Sequence, residues 1–253
     1  MKNSLMVLGT SSGAGKSTIT TGLCRLLFQD GNRVAPFKSQ NMTSNSYIFD
    51  TGLEMAKSQA IAAYACGISP DIDMNPIVLK LHNGEMETFV RGKSIGKMTS
   101  RQYNEQKDEI WLQVIEAYNR LSDKYSMIIL EGAGSPVEIN LKDNDIVNMR
   151  LSQHVSAPAI LVADIDRGGV FASVYGTLML LNEVERSFVK GIVINRLKGK
   201  REFFNDVKIA MEKLTGIPVL GMVPYMPITI EDEDSLIDPD TGAKPKQTRE
   251  DME

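Results

Sequence analysis

The stretch LMVLGTSSGAGKSTITTGLCRLLFQDG, from Leu5 to Gly31, narrows the choice of fold more than any other part of the chain. LMVLG reads as a short buried strand and STITTGLCRLLFQ as a helix closed by Gly31, so the glycines between them carry the chain from strand directly into helix. In such a turn successive backbone N–H groups point at one anion, and a lysine adds a mobile positive charge. The spacing is that of a phosphate loop, G-x-x-x-x-G-K-[ST], with one departure: Thr10 stands where the first glycine belongs, and Gly9 precedes it. Thr10, Ser12, Gly13, Ala14, Gly15, Lys16, Ser17 and Thr18 are the expected contacts of a nucleoside triphosphate. A turn that merely packs helix against sheet is the competing reading, and a glycine pair followed by Lys16 and Ser17 in this context argues against it.

Strand-like runs recur along the chain with helical patterns between them: LMVLG, RVAPF, MIILEG, AILVAD, VKGIVIN and PVLGMVP. That alternation predicts an α/β fold of three layers, a mostly parallel sheet covered on both faces by helices. Residues 53–66 and 103–121 are the clearest amphipathic helices, and 86–99 reads as a short hairpin. At 253 residues a single large domain suffices. Residues 1–237 are expected to form it, and 238–253 a linker or disordered tail, because the stretch after Pro224 turns acidic and proline-rich. Residues 231–253 hold nine acids against three bases, so the net charge of −4 belongs to the tail and the body is slightly positive. A near-neutral body without a basic stripe argues against nucleic acid as a partner. No apolar run approaches a membrane span and no targeting segment opens the chain, so the expectation is a soluble cytoplasmic protein without a membrane partner. Cys24 and Cys66 fall in helical patterns without metal-ligand spacing and read as small buried residues.

The strand ends carry the remaining chemistry, since ligands of α/β sheets gather at the carboxyl ends of the strands. In MIILEGAGSP, Glu131 is placed to reach a magnesium ion opposite Ser17, unless it only caps a helix. AILVADIDRGG brings Asp164, Asp166 and Arg167 to the same rim, either as site residues or as turn formers. VKGIVINR ends in Asn195 and Arg196, where the amide can address a purine edge or simply build the loop. PFKSQNMTSNS and DMNP read as polar loops of the kind that contact substrates.

Taken together, GTSSGAGKST, PFKSQNM, DMNP, EGAGSPVEINL, ADIDRGGVFASVYGT and INR closely resemble the N-terminal synthetase domain of the cobyric acid synthase family. The longer phosphate loop is also similar to that of dethiobiotin synthetase, which implies a dethiobiotin synthetase-like P-loop fold. The resemblance implies ATP and Mg2+ as cofactors and four successive amidations of corrin-ring carboxylates, each through an acyl phosphate that ammonia attacks. It implies Ser17, Asp50 and Glu131 at the metal, and Asn195 with Arg196 at the adenine. Lys16, Glu131 and Asp145 fall in catalytic positions, and Lys38, Gln40, Asn41, Asp73, Asn75, Asp143, Asp166 and Arg167 on the substrate side. It implies a corrinoid substrate and ammonia from a glutaminase domain or subunit, and it leaves a homodimer open. Neither Cys24 nor Cys66 resembles a glutaminase nucleophile. The related cobyrinic acid a,c-diamide synthase and dethiobiotin synthetase activities are the nearest alternatives. A partitioning-type ATPase is disfavoured, because those relatives carry an extra lysine where Gly9, Thr10 and Ser11 stand.

Overall fold

The computed structural model describes residues 3–43, 45–82, 85–139, 145–198 and 203–227. The chain opens with β1 (Asn3–Gly9), α1 (Lys16–Gln29) and β2 (Val34–Phe37), followed by the short strands β3 (Gln40–Met42), β4 (Ser46–Ile48) and β5 (Glu54–Ala56). Helix α2 (Lys57–Ala65) leads to β6 (Ile77–His82), β7 (Glu85–Val90) and β8 (Lys93–Met98). Helices α3 (Ser100–Glu105) and α4 (Lys107–Lys124) then precede β9 (Met127–Glu131). The remainder is α5 (Met149–His154), β10 (Ala159–Asp164), α6 (Val170–Leu180), α7 (Glu183–Phe188), β11 (Val189–Leu197), α8 (Phe203–Thr215) and β12 (Val219–Pro224).

The six apolar runs singled out in the sequence form one parallel sheet in the order β12-β11-β10-β1-β9-β2. Their period of two divides the core between the faces. Met6, Leu8, Ile128, Leu130 and Leu161 point into the larger cluster with α4 and α6, while Val7, Ile129, Ile160 and Val162 meet α1 through Ile19 and Cys24. Both cysteines are buried and unbridged. The neighbouring Cys66 thiol, and burial after it, push the Cys24 thiol well above its ordinary value, so it stays protonated.

A smaller mixed sheet, β3-β6-β7-β8, departs from the sequence reading. The 86–99 hairpin is there as β7 and β8, turning at Arg91 and Gly92, both with positive φ as a tight hairpin demands. The asparagine-rich stretch read as a loop, however, contains β3, which runs parallel to β6. The helix expected over 53–66 begins only at Lys57, because Glu54–Ala56 pairs with β4 and the Ala56 N–H is taken by the Asn75 side chain. The helix expected over 103–121 is broken at Gln106 into α3 and α4, the first opened by a reciprocal capping box between Thr99 and Gln102. Residues 238–253, read as a tail, lie outside the described residues.

Candidate active site

Five segments meet because five neighbouring parallel strands end on the same edge: the phosphate loop after β1, Lys38 after β2, Glu131 at the end of β9, Asp164 at the end of β10, and Asn195 with Arg196 in β11. Sequence-distant polar groups thereby become neighbours.

The phosphate loop is held by contacts that explain its glycines. A side chain at Gly9 would come within 2.9 Å of Lys16 Cγ, so Gly9 leaves room for the lysine stem to fold back over the strand end. The Lys16 ammonium then donates to the carbonyls of Ser11 (3.1 Å) and Gly134 (3.0 Å), tying the loop to the segment after β9. Gly15 caps α1 at φ +98, and a Cβ there would lie 1.9 Å from the Asn195 amide nitrogen, so both backbone conformation and space require glycine. That amide donates to the Ala14 carbonyl at 3.0 Å. Asn195 thus supports the loop from below, a role beyond the purine contact expected of it. Thr10 N–H donates to the Val162 carbonyl, and Ser12, Gly13, Ser17 and Thr18 remain accessible on the loop.

Glu131 is the hub. It is 1 % exposed; its Oε1 accepts from Ser17 Oγ at 2.7 Å and from Lys38 Nζ at 3.1 Å, and its Oε2 accepts from Gln59 Nε2 at 3.1 Å. A cap for a helix would not be built this way. A carboxylate facing the loop hydroxyl offers two hard oxygen donors at the position where a magnesium ion on the terminal phosphates of a nucleotide would sit. Lys38, read as a substrate contact, lies instead in this centre, as buried as its partner. Gln59 escaped the sequence reading: it sits in an alanine-rich helix with no motif around it, and only the packing of α2 against α1 and β2 brings it to Glu131.

Two expected site residues, Asp73 and Asn75, serve the fold, and a third, Asp50, sits on a surface turn. Asp50 lies exposed on the turn between β4 and β5, whose closure by Phe49 N–H to Leu53 and Gly52 N–H to Phe49 explains the FDTG sequence; no described contact takes it to Ser17 or Glu131. The metal assignment of Asp50 stays an expectation from the resemblance. Asp73 is buried and gripped by Arg120 through two bonds (2.7 and 2.9 Å) and by Arg91 at 3.2 Å. Asn75 is fully buried, donating to the Lys38 carbonyl at 2.8 Å and accepting from Ala56 N–H at 2.9 Å. DMNP is thus an internal brace that fixes the backbone of Lys38 and the start of α2, and Asp73 and Asn75 are not substrate contacts.

Of the other expected residues, Asp145 caps its own turn, Oδ1 accepting from Val147 and Asn148 N–H, both at 2.9 Å. Asp164 accepts from Arg196 at 2.9 Å and lies 3.5 Å from Arg167, and Asp166 pairs with Lys198 at 2.7 Å, so these charges neutralise one another along the rim. Asn41 is buried, and Gln40 accepts from the Tyr103 hydroxyl. Asp143 lies outside the described residues. Asn148 was also missed: its amide brackets Ala133, accepting from its N–H (3.1 Å) and donating to its carbonyl (3.0 Å), and a side chain on Gly132 would collide with it at 2.3 Å. The glycine of EGAG is there for that asparagine. A cavity of about 460 Å3 opens beside the loop, lined by Ser12, Gly134, Gln40 and Asp145 among others.

A parallel sheet with a glycine loop feeding a helix, a buried lysine behind it and an acid at the adjacent strand end defines a phosphate-loop nucleotide-binding protein. Solved structures agree on the fold. The signal recognition particle receptor FtsY from Elizabethkingia anophelis superposes with a TM-score of 0.52 at 14% identity, covering 92% of this chain and 61% of that one. The same receptor in complex with GDP gives 0.51 at 15%, covering 87% and 56%. The chain belongs to the CbiA family, the CobQ/CobB/MinD/ParA nucleotide binding domain, which matches residues 5–237. It is 47% identical over 237 residues to the cobyric acid synthases of Citrobacter koseri and Salmonella gallinarum, a match covering 93% of this chain and 47% of each relative. The chain therefore spans about half the length of the curated relatives it matches. Among the described residues no helix is long and apolar enough to cross a membrane.

Proposed function

We propose that this chain is the ATP-dependent half of a carbon–nitrogen ligase that amidates the carboxylate side arms of a corrinoid. Residues 1–237 would form the synthetase unit, with ammonia delivered by a glutaminase domain or subunit. The observation that carries the reading is the convergence of Ser17, Lys38 and Glu131 beside a cavity that reaches the phosphate loop. A carboxylate is a poor electrophile because its leaving group would be oxide; phosphorylation replaces that with phosphate. Transfer of a phosphoryl group requires in-line placement and charge neutralisation, which rigid donors supply without reorganising.

In this reading the loop N–H groups from Gly13 to Lys16 orient the β- and γ-phosphates of ATP, and the Lys16 ammonium exchanges its carbonyl partners for phosphate oxygens. Lys38, anchored by Glu131 and by the Asn75 brace on its own carbonyl, steadies the charge developing between the γ-phosphate and the incoming carboxylate. Ser17 and Glu131 would hold magnesium, which when bound neutralises phosphate charge. Ammonia then attacks the acyl carbon, the carbon–oxygen bond to phosphate breaks, and the proton lost from nitrogen passes to solvent. The relatives named cobyric acid synthase support the corrinoid as the substrate. The test is amidation of cobyrinic acid a,c-diamide with MgATP and ammonium, using substrate labelled with heavy oxygen in its carboxylates. Label in the released phosphate is expected. Unlabelled phosphate accompanying amide formation refutes the acyl-phosphate route, and ATP hydrolysis indifferent to the corrinoid favours a partitioning-type ATPase instead.

A further inference from the structure

The cavity beside the phosphate loop contains a cation that the proposed chemistry does not use. Lys107 is the first residue of α4, at the break that separates it from α3, and its half-buried side chain lines the same cavity as Ser12 and Gly134. Its ammonium lies 5.3 Å from the centre of the Tyr103 ring, and among the described residues it makes no ion pair. Of the acids of the cavity, Asp145 is near enough for its charge to favour the ammonium, but its oxygens turn to backbone N–H groups, of Val147 and Asn148 at 2.9 Å and Arg150 at 3.3 Å, and among the described residues it makes no hydrogen bond to Lys107; Glu138 stands exposed to solvent. Next to it, the Tyr103 hydroxyl donates to Gln40 Oε1, which fixes the ring under the lysine and leaves the Gln40 amide N–H group without an acceptor among the described residues. A half-buried ammonium and an amide donor, both lining one cavity and both lacking a hydrogen-bond acceptor among the described residues, are a recognition pair for an anion. Met42, Leu79 and Met86 give the same cavity apolar lining that suits the hydrocarbon edge of a macrocycle.

We propose that Lys107, positioned by Tyr103 and seconded by Gln40, binds a carboxylate arm of the substrate other than the one being phosphorylated. The assignment rests on the corrinoid reading above and adds a specificity residue to it. An amide arm would satisfy Gln40 but leave the Lys107 ammonium without a hydrogen-bonded counter-charge, so the subsite discriminates by charge between arms still carboxylate and arms already amidated.

The test compares wild type with Lys107→Met and Lys107→Arg on two substrates, the polycarboxylate corrinoid and a synthetic corrinoid with one free carboxylate and every other arm an amide. On the polycarboxylate, Lys107→Met is expected to raise KM about tenfold, the scale of one partly exposed charge-assisted hydrogen bond, with Lys107→Arg near wild type. On the single-carboxylate substrate, and in the KM for ATP, the Lys107→Met variant should match wild type. An equal loss on both substrates, or none on either, overturns the assignment. Equilibrium titration of the same corrinoids separates this from the parent reading: wild type that binds the polycarboxylate more tightly than the single-carboxylate form, with the difference abolished in Lys107→Met, supports the subsite even without turnover. Wild type that binds neither overturns the corrinoid reading itself, and this assignment with it.

Discussion

Replacing Glu131 by glutamine isolates charge from shape. Gln59 has an Oε1 without a partner, so turning its amide over would let it accept from a glutamine at 131, while Ser17 and Lys38 could still donate to the retained carbonyl oxygen. What the substitution removes is the negative charge facing an ammonium that, like the carboxylate, is 1 % exposed. Breaking a buried ion pair from one side costs about 3–5 kcal/mol, because the other charge stays desolvated. With both groups this deeply buried no discount for solvent screening applies. For a chain of this size about 3 kcal/mol lowers Tm by about 6–12 °C. Lys38→Met should cost a comparable amount, leaving the carboxylate with Ser17 and Gln59. The double variant Lys38→Met/Glu131→Gln removes both charges and should lie within about 1 kcal/mol of the milder single variant, so the cycle closes with a coupling of at least about 2 kcal/mol. Thermal unfolding and urea titration of the four proteins measure it. MgATP should raise the Tm of wild type but have little effect on Glu131→Gln and the double variant. Additive losses in the cycle would refute the reasoning, since they would mean the two charges are solvated independently.

Lys16→Ala should weaken ATP binding by about tenfold to a hundredfold, the scale of a charged hydrogen bond, and abolish turnover while leaving the circular dichroism spectrum unchanged; calorimetric titration with MgATP checks it. Asn75→Ala leaves the Ala56 N–H and the Lys38 carbonyl without their buried partner and should cost about 2–4 kcal/mol in urea unfolding, with a loss under about 1 kcal/mol refuting the brace. At Asp71 burial opposes ionisation, but the hydrogen bonds from Lys124 and from Asp73 N–H prevail and hold its carboxyl below the usual value. A depressed pKa in the folded state contributes stability above the unfolded pKa and loses it as pH falls, so wild type should exceed Asp71→Asn at neutral pH and the two should converge below about pH 4. A gap that persists at low pH in unfolding midpoints would contradict this.

The phosphate loop, the strand-end acid and the six strands of the main sheet were legible in the chain because each is encoded locally. Glycine turns, period-two apolar runs and an acid following them need no partner to be recognised. What one residue does for another was not legible. Lys38 reads as part of a polar loop, yet it forms a buried pair with Glu131 because β2 and β9 are neighbours in a sheet while lying far apart in the chain. Gln59 carries no signature, and Asn148 shows only through the glycine it excludes from bearing a side chain. DMNP looked like a binding motif because a polar motif in a loop has the same appearance whether it faces ligand or supports backbone, and only burial and the Arg120 and Ala56 contacts decide which. The sequence by itself determined the kind of ligand and the edge of the sheet where it binds, since backbone conformation at the loop follows from residue types. The tertiary structure decided which charges face one another and which are left lining the cavity, because electrostatic energy depends on distance and burial, and neither is a property of chain order.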